Sequence, residues 1–338
     1  MNSLVIGAGQ NFSGQVGAES DDSSANGYPI VKVPVAIPID PKGIVSIAAG
    51  FKHSVFVFDD GKVVVIGDDR NSQIGTPDKQ AYLKPTSVTI NTQQKILQAA
   101  CGQYYTAYLL DDGSILICGW RRNGEPFTFK PDEKFVFINA GFDSPVAIDS
   151  KGDFYIFDSD YTKPPQKYHL DQPVYDIARG QDFVLVVTLD NKVYGNGIMN
   201  EDKSQDFKLI KSLSPYKITR VYASYSVAGA LSDDGKALLH AQEGFVVVEG
   251  LQDEKIIDMD VGQYYSIFVA EDGKMYSCGD NIYGELLLGR TDDQPVSITL
   301  GPFSLRSKIS YVKCGTHHSF AIVNGGNVPH LGKMAFNK

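Results

Sequence analysis

Three glycines recur at a fixed spacing along the chain, and this spacing constrains the fold more than any other feature. In the segment GFKHSVFVFDDGKVVVIG, which runs from Gly50 to Gly67, the glycines lie at offsets 0, 11 and 17. The template fits six more times without insertion or deletion, beginning at residues 102, 141, 180, 224, 262 and 315. Glycine fills 17 of the 21 marked positions, whereas 33 glycines in 338 residues would fill about two by chance. The chain therefore contains seven copies of one structural unit.

Each copy has the pattern of β-strands joined by tight turns. Apolar runs such as SVFVFD and SIFVAE follow the first glycine, and runs such as KVVVI and KMYSC precede the third. Short runs rich in β-branched and aromatic residues are typical of buried strands. The second glycine ends an acidic turn sequence such as DDG, which is typical of a hairpin that needs a positive φ angle. A further run, such as IVSIAA, precedes the first glycine, so each copy supplies three antiparallel strands.

The linkers between the copies supply a fourth strand. They contain the segments PVAI, PTSV and PVSI, which begin at Pro34, Pro85 and Pro295. Proline is tolerated at the edge of a sheet, so these segments are expected to be outermost strands. Seven four-stranded units predict an all-β fold, a seven-bladed β-propeller that forms a single domain over residues 1–338. The repeat cores are expected at residues 44–67, 96–119, 135–158, 174–197, 218–241, 256–279 and 309–332.

Residues 1–17 match the end of a repeat that has no beginning. The segment GQNFSGQVG, which begins at Gly9, corresponds to GDNIYGELLLG, which begins at Gly279. A ring must be fastened at its ends, so we expect Leu4 to Ala8 to pair with the C-terminal blade and close the propeller. The seventh copy has a third strand of its own that competes for this place. Because Pro329 in that segment cannot donate a hydrogen bond to a strand ladder, the N-terminal segment is expected to take it.

The cysteine positions and the hydropathy of the chain indicate its cellular compartment. Cys101 and Cys314 occupy one repeat column, and Cys118 and Cys278 occupy another, which favours core packing over a disulfide or a metal site. No apolar run has the length of a membrane span, and nothing resembles a signal peptide. We therefore expect a soluble intracellular protein of the cytoplasm or the nucleus, with no membrane partner.

The net charge of −9 is expected to concentrate on one face of the ring. The hairpin turns carry acidic residues in most copies, and strand parity brings these turns to the same face. Acidic turns repel nucleic acid, so direct DNA binding is not expected. The alternative is that these residues simply solvate the turns.

The opposite face carries the turns that follow the first glycines and the loops that follow the third glycines. Aromatic, arginine and mixed polar residues at such positions are the composition of a protein-binding surface. The candidate partner-binding residues are Lys52, Tyr104, Trp120, Arg121, Arg122, Asp143, Asp182, Tyr264, His317 and His318. The alternative for several of the rings is packing against the next blade.

The repeat pattern resembles a known family. The sequence AAGFKHS followed by DDG and VVVIG, together with GDNIYGELLLG and GQNFSGQVG, resembles the repeats of the regulator of chromosome condensation family over nearly the whole chain. The resemblance implies a seven-bladed propeller closed by an N-terminal strand. It also implies the founding activity of that family, which is guanine nucleotide exchange on the small GTPase Ran.

The resemblance carries over to only some residues. Asp143 matches an aspartate that the exchange factors place in the third-blade turn, and His318 matches a histidine of the repeat. The segment that begins at Trp120, WRRNGEP, is similar to a shortened version of the loop that the family wedges near the nucleotide. The second-blade turn has Gln103 and Tyr104 where the family leads one to expect acidic residues. The basic tail of the chromatin-bound members is missing.

The sequence shows no convergent set of catalytic groups. His53 and His318 share a repeat column, where a structural hydrogen bond is expected, and the neighbours His317 and His318 point to opposite sides of a strand end. The string GAGQNFSG precedes no helix and fits the repeat, so it is not a phosphate loop. We therefore expect no catalytic residue, cofactor or metal. Two hypotheses stay open: an exchange factor for a Ran-like small GTPase, or an interaction scaffold or inhibitor that uses the same face.

Overall fold

The structure is a computed structural model that describes residues 3–24, 26–119, 124–161, 163–199, 205–302, 307–325 and 328. These residues form seven antiparallel sheets arranged as a ring. The innermost strand of every sheet lines one central channel. The predicted seven-bladed, all-β propeller is therefore confirmed.

The strands follow the glycine template in chain order. The chain begins with β1 (Leu4–Gln10), β2 (Asp22–Ser23) and β3 (Pro29–Ile37), which belong to the seventh blade. Blade 1 contains β4 (Ile44–Ala49), β5 (His53–Phe58), β6 (Val63–Asp68) and β7 (Ala81–Val88). Blade 2 contains β8 (Ile96–Cys101), β9 (Tyr105–Leu110), β10 (Ile115–Gly119) and β11 (Phe127–Phe129). Blade 3 contains β12 (Phe135–Ala140), β13 (Pro145–Asp149), β14 (Phe154–Ile156) and β15 (Gln166–Tyr168).

The second half of the ring repeats this order. Blade 4 contains β16 (Val174–Arg179), β17 (Val184–Thr188), β18 (Val193–Gly195) and β19 (Lys208–Leu209), with 3-10 helices at Gly197–Met199 and Lys211–Leu213 beside β19. Blade 5 contains β20 (Ile218–Ser224), β21 (Val227–Ser232), β22 (Ala237–Ala241) and β23 (Gly244–Val247). Blade 6 contains β24 (Ile256–Val261), β25 (Tyr265–Ala270), β26 (Met275–Asn281) and β27 (Asp292–Leu300). Blade 7 is completed by β28 (Ile309–Cys314) and β29 (His318–Val323).

The N-terminal strand closes the ring. Strand β1 pairs antiparallel with β29, in a register that places Leu4 opposite Val323 and Gly9 opposite His318. It lies between β29 and β3, which is the place of the third strand in the other blades. The prediction that the N-terminal segment takes this place is confirmed. Pro329, which belongs to the competing C-terminal segment, lies outside the described residues.

The proline-containing linker segments lie where the sequence predicts them. Strands β7 and β27, which contain Pro85 and Pro295, form the outer edges of their sheets. Strand β3 contains Pro34 and is covered only by the two-residue strand β2. Proline therefore sits at or next to an edge in each case, where the missing N–H costs no central ladder bond.

The core of the protein lies between the blades. Seven apolar clusters occur in the described residues, and each joins the facing sides of two successive blades. Between blades 1 and 2, for example, Val55 and Val65 share a cluster with Tyr108 and Leu116. No blade has a separate core, so each is stabilised by its neighbours and by closure of the ring.

The hairpin turns do lie together on one face, but their acidic residues are interleaved with lysines. Lys192 pairs with Asp190 at 2.7 Å, and Lys274 pairs with Asp272 at 2.8 Å. Across the inner strand pair of one blade, Lys217 pairs with Asp233 at 2.8 Å in blade 5, and Lys255 pairs with Glu271 at 2.5 Å in blade 6. Lysines beside and opposite the turns therefore pair with the acidic residues that the sequence places on this face.

Two further features concern the cysteines and the helices. All four cysteines are free, and Cys118 and Cys314 are buried in the interfaces between blades. Within the described part of the chain, none of the helices has the length and hydrophobicity that crossing a membrane requires.

Closure of the ring depends on Gly9, which allows a test. A Cβ at Gly9 would lie 2.5 Å from the carbonyl oxygen of His317 and 2.5 Å from the Cα of His318, and its φ is +117°. Gly289 also has a positive φ, +75°, but a Cβ there meets nothing within 4 Å. Gly289→Ala should therefore cost only the backbone strain, about 1–2 kcal/mol. Gly9→Ala should lower the free energy of unfolding in urea by at least about 2 kcal/mol more.

The comparison between the two variants isolates the close approach from the positive φ angle. Equal losses of stability in Gly9→Ala and Gly289→Ala would contradict the closure described here.

Candidate functional site

The turns that follow the first glycines form a rim on one face of the ring, which we call the turn face. Backbone hydrogen bonds link neighbouring turns: Gln103 N to Phe142 O at 2.9 Å, Gln181 N to Tyr225 O at 2.8 Å, Gln263 N to Thr316 O at 3.3 Å and Thr316 N to Gly50 O at 3.0 Å. These bonds join blade 2 to 3, 4 to 5, 6 to 7 and 7 to 1. The backbone of the turn face is therefore held by bonds between blades as well as within them.

The third glycine of a repeat positions the turn of its own blade. The residue after Gly67, Asp68, donates its backbone N–H to the carbonyl of Lys52 at 2.8 Å. A Cβ on Gly67 would lie 2.2 Å from that same carbonyl oxygen, so only glycine allows the strand to approach the turn. The bond recurs from Gln10 to His317 at 2.8 Å and from Asp280 to Tyr264 at 3.0 Å. Candidate residues in three blades are thus fixed by the glycine column.

Buried Asn and Asp side chains hold the longer loops of the turn face. Asn11 accepts a hydrogen bond from the backbone N–H of Val16 at 3.0 Å, and Asn281 accepts the equivalent bond from Leu286 at 3.1 Å. In blade 1 Asp69 takes this role and accepts bonds from three successive backbone N–H groups, residues 74 to 76. Burial raises the pKa of Asp69, and these bonds oppose the rise. Internal hydrogen bonds therefore order these loops.

Lys52 lies at the centre of an aromatic cluster. Its Nζ is 4.9 Å from the ring centroid of Phe12, 5.4 Å from that of Phe51 and 6.0 Å from that of Tyr104. The Phe51 ring also contacts Tyr104 edge to face, with the centroids 5.7 Å apart. These residues, which come from blades 7, 1 and 2, are all partly exposed. We call Phe12, Phe51, Lys52 and Tyr104 the Lys52 cluster.

His317 lies next to the Lys52 cluster and contacts the rings of Phe51 at 6.1 Å and Tyr283 at 5.0 Å. Burial lowers the pKa of His317 to about 4, so its imidazole is neutral at pH 7. It therefore contributes an aromatic surface rather than a positive charge.

A second aromatic group lies at the mouth of the channel. Phe142 of blade 3 reaches Tyr225 of blade 5, with ring centroids 5.1 Å apart, and Tyr225 contacts Tyr264 of blade 6 at 5.8 Å. Tyr264 is 45% exposed, and both Asp143 and Asp182 are exposed beside this group. The turn face thus has an acidic, aromatic region over blades 3 to 6, opposite the Lys52 cluster.

His318 does not lie on the surface. It is fully buried, and its Nε2 is 2.8 Å from the hydroxyl of Ser54 in blade 1. His53, in the same repeat column, makes the equivalent contact with Thr106 of blade 2 at 2.9 Å. Burial lowers the pKa of His318 to about 3 and that of His53 to about 4, so both are neutral. The predicted structural hydrogen bond in this column is confirmed, and His318 is not available at the surface.

The other predicted residues divide into two groups. Lys52, Tyr104, Asp143, Asp182, Tyr264 and His317 all lie on the turn face. Trp120, Arg121 and Arg122, the proposed wedge, lie outside the described residues. In the described part of the chain, no group of three or more His, Cys, Asp or Glu side chains is placed to hold a metal ion.

Sequence reasoning missed a set of charges that line the central channel, whose cavity is about 180 Å³. Arg220 of blade 5 bonds Asp258 of blade 6 at 3.0 Å, and Asp260 bonds Lys313 of blade 7 at 2.9 Å. The second oxygen of Asp258 accepts the backbone N–H of Val312 at 3.2 Å. Burial raises the pKa of Asp258 to about 6. The sequence signal for these charges is a charged residue in an otherwise apolar inner strand, four or two positions before the first marked position of the repeat.

Sequence reasoning also missed Glu285. It lies in the column of Gln15 and Gln73, each of which accepts a hydrogen bond from the backbone N–H two residues earlier. Glu285 makes the same bond with Tyr283 at 2.7 Å, but its carboxyl group is only 1% exposed. Burial raises the pKa of Glu285 to about 8, against the backbone hydrogen bonds that lower it. Glu285 therefore takes the place of a glutamine with a carboxyl group whose pKa is raised by burial.

The repeats match a described family. Two models of the "Regulator of chromosome condensation (RCC1) repeat" match the chain, one at residues 60–109 and 272–322 and the other at residues 44–73 and 256–285. The regulator of chromosome condensation of Xenopus laevis is 22% identical over 340 residues, which cover 99% of this chain and 68% of that protein. The chain carries RCC1-type repeats at these positions. The matched ranges lie in blades 1, 2, 6 and 7, where the three glycine columns are best kept.

Solved structures share the fold of this RCC1-type chain. Human WBSCR16 matches with a TM-score of 0.79 at 18% identity, over 97% of this chain and all of that one. Prp20p from Saccharomyces cerevisiae, whose structure was reported with its binding properties to Gsp1p and histones, matches with a TM-score of 0.79 at 18% identity. That alignment covers 99% of this chain and 94% of Prp20p. At these identities the likeness establishes the fold.

The raised pKa of Glu285 predicts a pH dependence of stability. Between the ordinary pKa of about 4.5 and the folded value of about 8, the folded state binds more protons than the unfolded state, so stability falls as pH rises. The slope attributable to this group approaches about 1.4 kcal/mol per pH unit inside that window. Glu285→Gln should remove this slope, because Gln15 and Gln73 already occupy equivalent places. The measurement is the free energy of urea unfolding from pH 5 to about pH 8.

The matched control is Glu271→Gln, whose side chain is 61% exposed and pairs with Lys255 on the opposite face. This variant should keep the pH dependence of the original chain. An unchanged slope in Glu285→Gln would show that Glu285 is ionised in the folded state.

Proposed function

We propose that the chain is a non-catalytic, protein-binding propeller whose partner is a Ran-like small GTPase, on which it promotes guanine nucleotide exchange. One observation carries the protein-binding part: a rim fixed by bonds between blades presents Tyr264, 45% exposed, between two exposed carboxylates and a neighbouring aromatic cluster. Aromatic anchors on a rigid frame are the usual centre of a protein interface.

Exchange needs no bond-making by the propeller. A partner that binds the propeller more tightly once its nucleotide has left is, by thermodynamic linkage, a partner whose nucleotide is bound more weakly in the complex. The proposal therefore requires a surface that discriminates two states of one protein, not a catalytic constellation. A rigid face suits this role, since it can impose its shape on a mobile partner surface at little ordering cost of its own.

The GTPase part of the proposal is supported by Asp143 and Asp182. Asp143 stands at the turn position where the resemblance implies an aspartate of the exchange factors, and Asp182 follows at the equivalent position of the next blade. Both are exposed on the turn face. The ring of Phe142, next to Asp143, contacts the ring of Tyr225 edge to face. We propose that these two carboxylates contact the GTPase, with Tyr264 as the aromatic anchor.

The second candidate is an interaction scaffold or inhibitor with no effect on a GTPase. It is favoured by the Lys52 cluster, because Tyr104 occupies a turn of the second blade where the resemblance leads one to expect acidic residues, and it contacts the ammonium of Lys52 instead. A face altered in this way fits a partner other than Ran.

A binding and exchange assay separates the two candidates. Nucleotide-free and GTP-loaded Ran are presented to the immobilised chain, and release of fluorescent GDP from Ran is followed with catalytic amounts of the chain. The exchange proposal predicts preference for nucleotide-free Ran and faster GDP release. Binding in neither state would contradict it and leave the scaffold.

Substitution of single aspartates tests whether the turn face contacts the GTPase. Asp182→Ala should lower the apparent kcat/KM of exchange at least about tenfold, because removing one side of a charged contact leaves its partner unpaired. Asp111→Ala is the matched control, since Asp111 is an exposed aspartate of a hairpin turn on the opposite face. That variant should stay within about twofold of the original chain. Equal loss in both variants would contradict a role for the turn face.

A further inference from the structure

The ammonium group of Lys52 has an unusual environment for a lysine on a charged protein. Its described contacts are the rings of Phe12, Phe51 and Tyr104, at 4.9, 5.4 and 6.0 Å. In the described part of the chain no carboxylate lies within ion-pair distance of this ammonium, and no oxygen accepts a hydrogen bond from it. Its N–H donors therefore have no acceptor within the protein.

The nearby carboxylate, that of Asp68, already forms an ion pair with another residue. Asp68 lies in the next strand but binds Arg70 in a bidentate pair, at 2.7 and 3.0 Å. Its pKa is lowered by the hydrogen bonds and charge of Arg70, with a smaller contribution from Lys52, against the effect of burial. The three side chains together keep one net positive charge at this point of the turn face.

The rings order the lysine before any partner arrives. A free lysine side chain loses much rotamer freedom when it is fixed in a contact, and cation–π contacts with three rings restrict it in advance. The rings also contact one another, with Phe12 next to Phe51 at 6.2 Å and Tyr28 next to Phe12 at 5.8 Å. A fixed charge in an apolar surround, which excludes water once covered, is the arrangement of an interface hot spot.

We propose that the Lys52 cluster is a docking site for an acidic segment of a partner protein, with an Asp or Glu carboxylate bound to the Lys52 ammonium and neighbouring apolar side chains on the rings. The charge is complementary, and the opposite region of the turn face, with Asp143 and Asp182, has the reverse sign. A partner with one acidic and one basic region would be held in a single orientation. This inference rests on the proposed function only in using the same face for protein binding.

A carboxylate suits the site better than a nucleic acid does. A nucleic acid strand carries a phosphate at every residue and needs several cations in a row, whereas the site offers a single net charge in a protein of net charge −9. The surrounding rings match the apolar neighbours of a carboxylate in a folded or extended protein segment.

The probe is a fluorescein-labelled octaglutamate peptide, with binding read by anisotropy at about 20 mM salt, where a local charge acts over a few nanometres. The original chain should bind it, and Lys52→Glu should weaken binding at least about tenfold. Lys52→Arg should retain binding, since arginine keeps both the charge and the ring contacts. Tyr104→Ala should weaken it, and Tyr104→Phe should not, if the ring orders Lys52.

Lys62 supplies the matched control. Its Nζ lies 5.5 Å from the ring centroid of Phe58, on the face opposite the turn face. Lys62→Glu makes the same charge change over one ring and should leave octaglutamate binding within about twofold. Thermal unfolding midpoints of the variants, equal to that of the original chain, exclude loss of the fold as the cause.

Two results would overturn the inference. One is that the original chain does not bind octaglutamate, or that Lys52→Glu binds it as tightly as the original chain does. The other is that a single-stranded DNA of twelve nucleotides binds the original chain more tightly than octaglutamate does, and that this binding depends on Lys52. The cluster would then be a phosphate-binding site. If the peptide binds in a Lys52-dependent way but the chain does not accelerate GDP release from Ran, only the exchange proposal is refuted. If the chain accelerates GDP release equally well with Lys52→Glu and the peptide does not bind, only the proposal for the Lys52 cluster is refuted.

Discussion

One close contact underlies the structure: the third glycine of a repeat lies against the carbonyl of the turn that opens the same blade. A Cβ would fall 2.2 Å from the Lys52 oxygen at Gly67 and 2.3 Å from the Tyr264 oxygen at Gly279. The residue after each glycine then donates its N–H to that oxygen, at 2.8 and 3.0 Å. The missing side chain thus allows both the packing of strand on turn and the placement of the side chains that the turn presents.

The same contact explains how a ring of separate sheets behaves as one body. At the closure the pair is Gly9 and His317, so the chain's first strand completes the last blade with the contact used elsewhere within one continuous repeat. Backbone hydrogen bonds then join the turns at four of the junctions between blades, and ion pairs such as that of Arg220 with Asp258 join inner strands. Rigidity of the turn face follows from repetition of these links around the ring, and a rigid face binds a partner with little loss of its own freedom.

The sequence predicted the parts that depend on short-range pattern. Glycine offsets and apolar runs indicated every blade, the closing strand and the edge strands at Pro85 and Pro295, because turn chemistry and strand alternation are local properties. It could not predict contacts between residues brought together by the ring. Lys52 meets Phe12 and Tyr104 only because blades 7, 1 and 2 are neighbours, and the surface assignment of His318 was wrong because its partner, Ser54, lies 264 residues away.

The most direct test of this account is amide hydrogen exchange by NMR at Gln10, Asp68 and Asp280, whose N–H groups donate to the carbonyls of His317, Lys52 and Tyr264. If glycine packing fixes the turns, these three amides exchange only through global unfolding, as slowly as the amides of the buried strand β5. Exchange as fast as that of the exposed hairpin amide of Asp60 would mean that the turns open locally. The rigid face on which the account depends would then not exist.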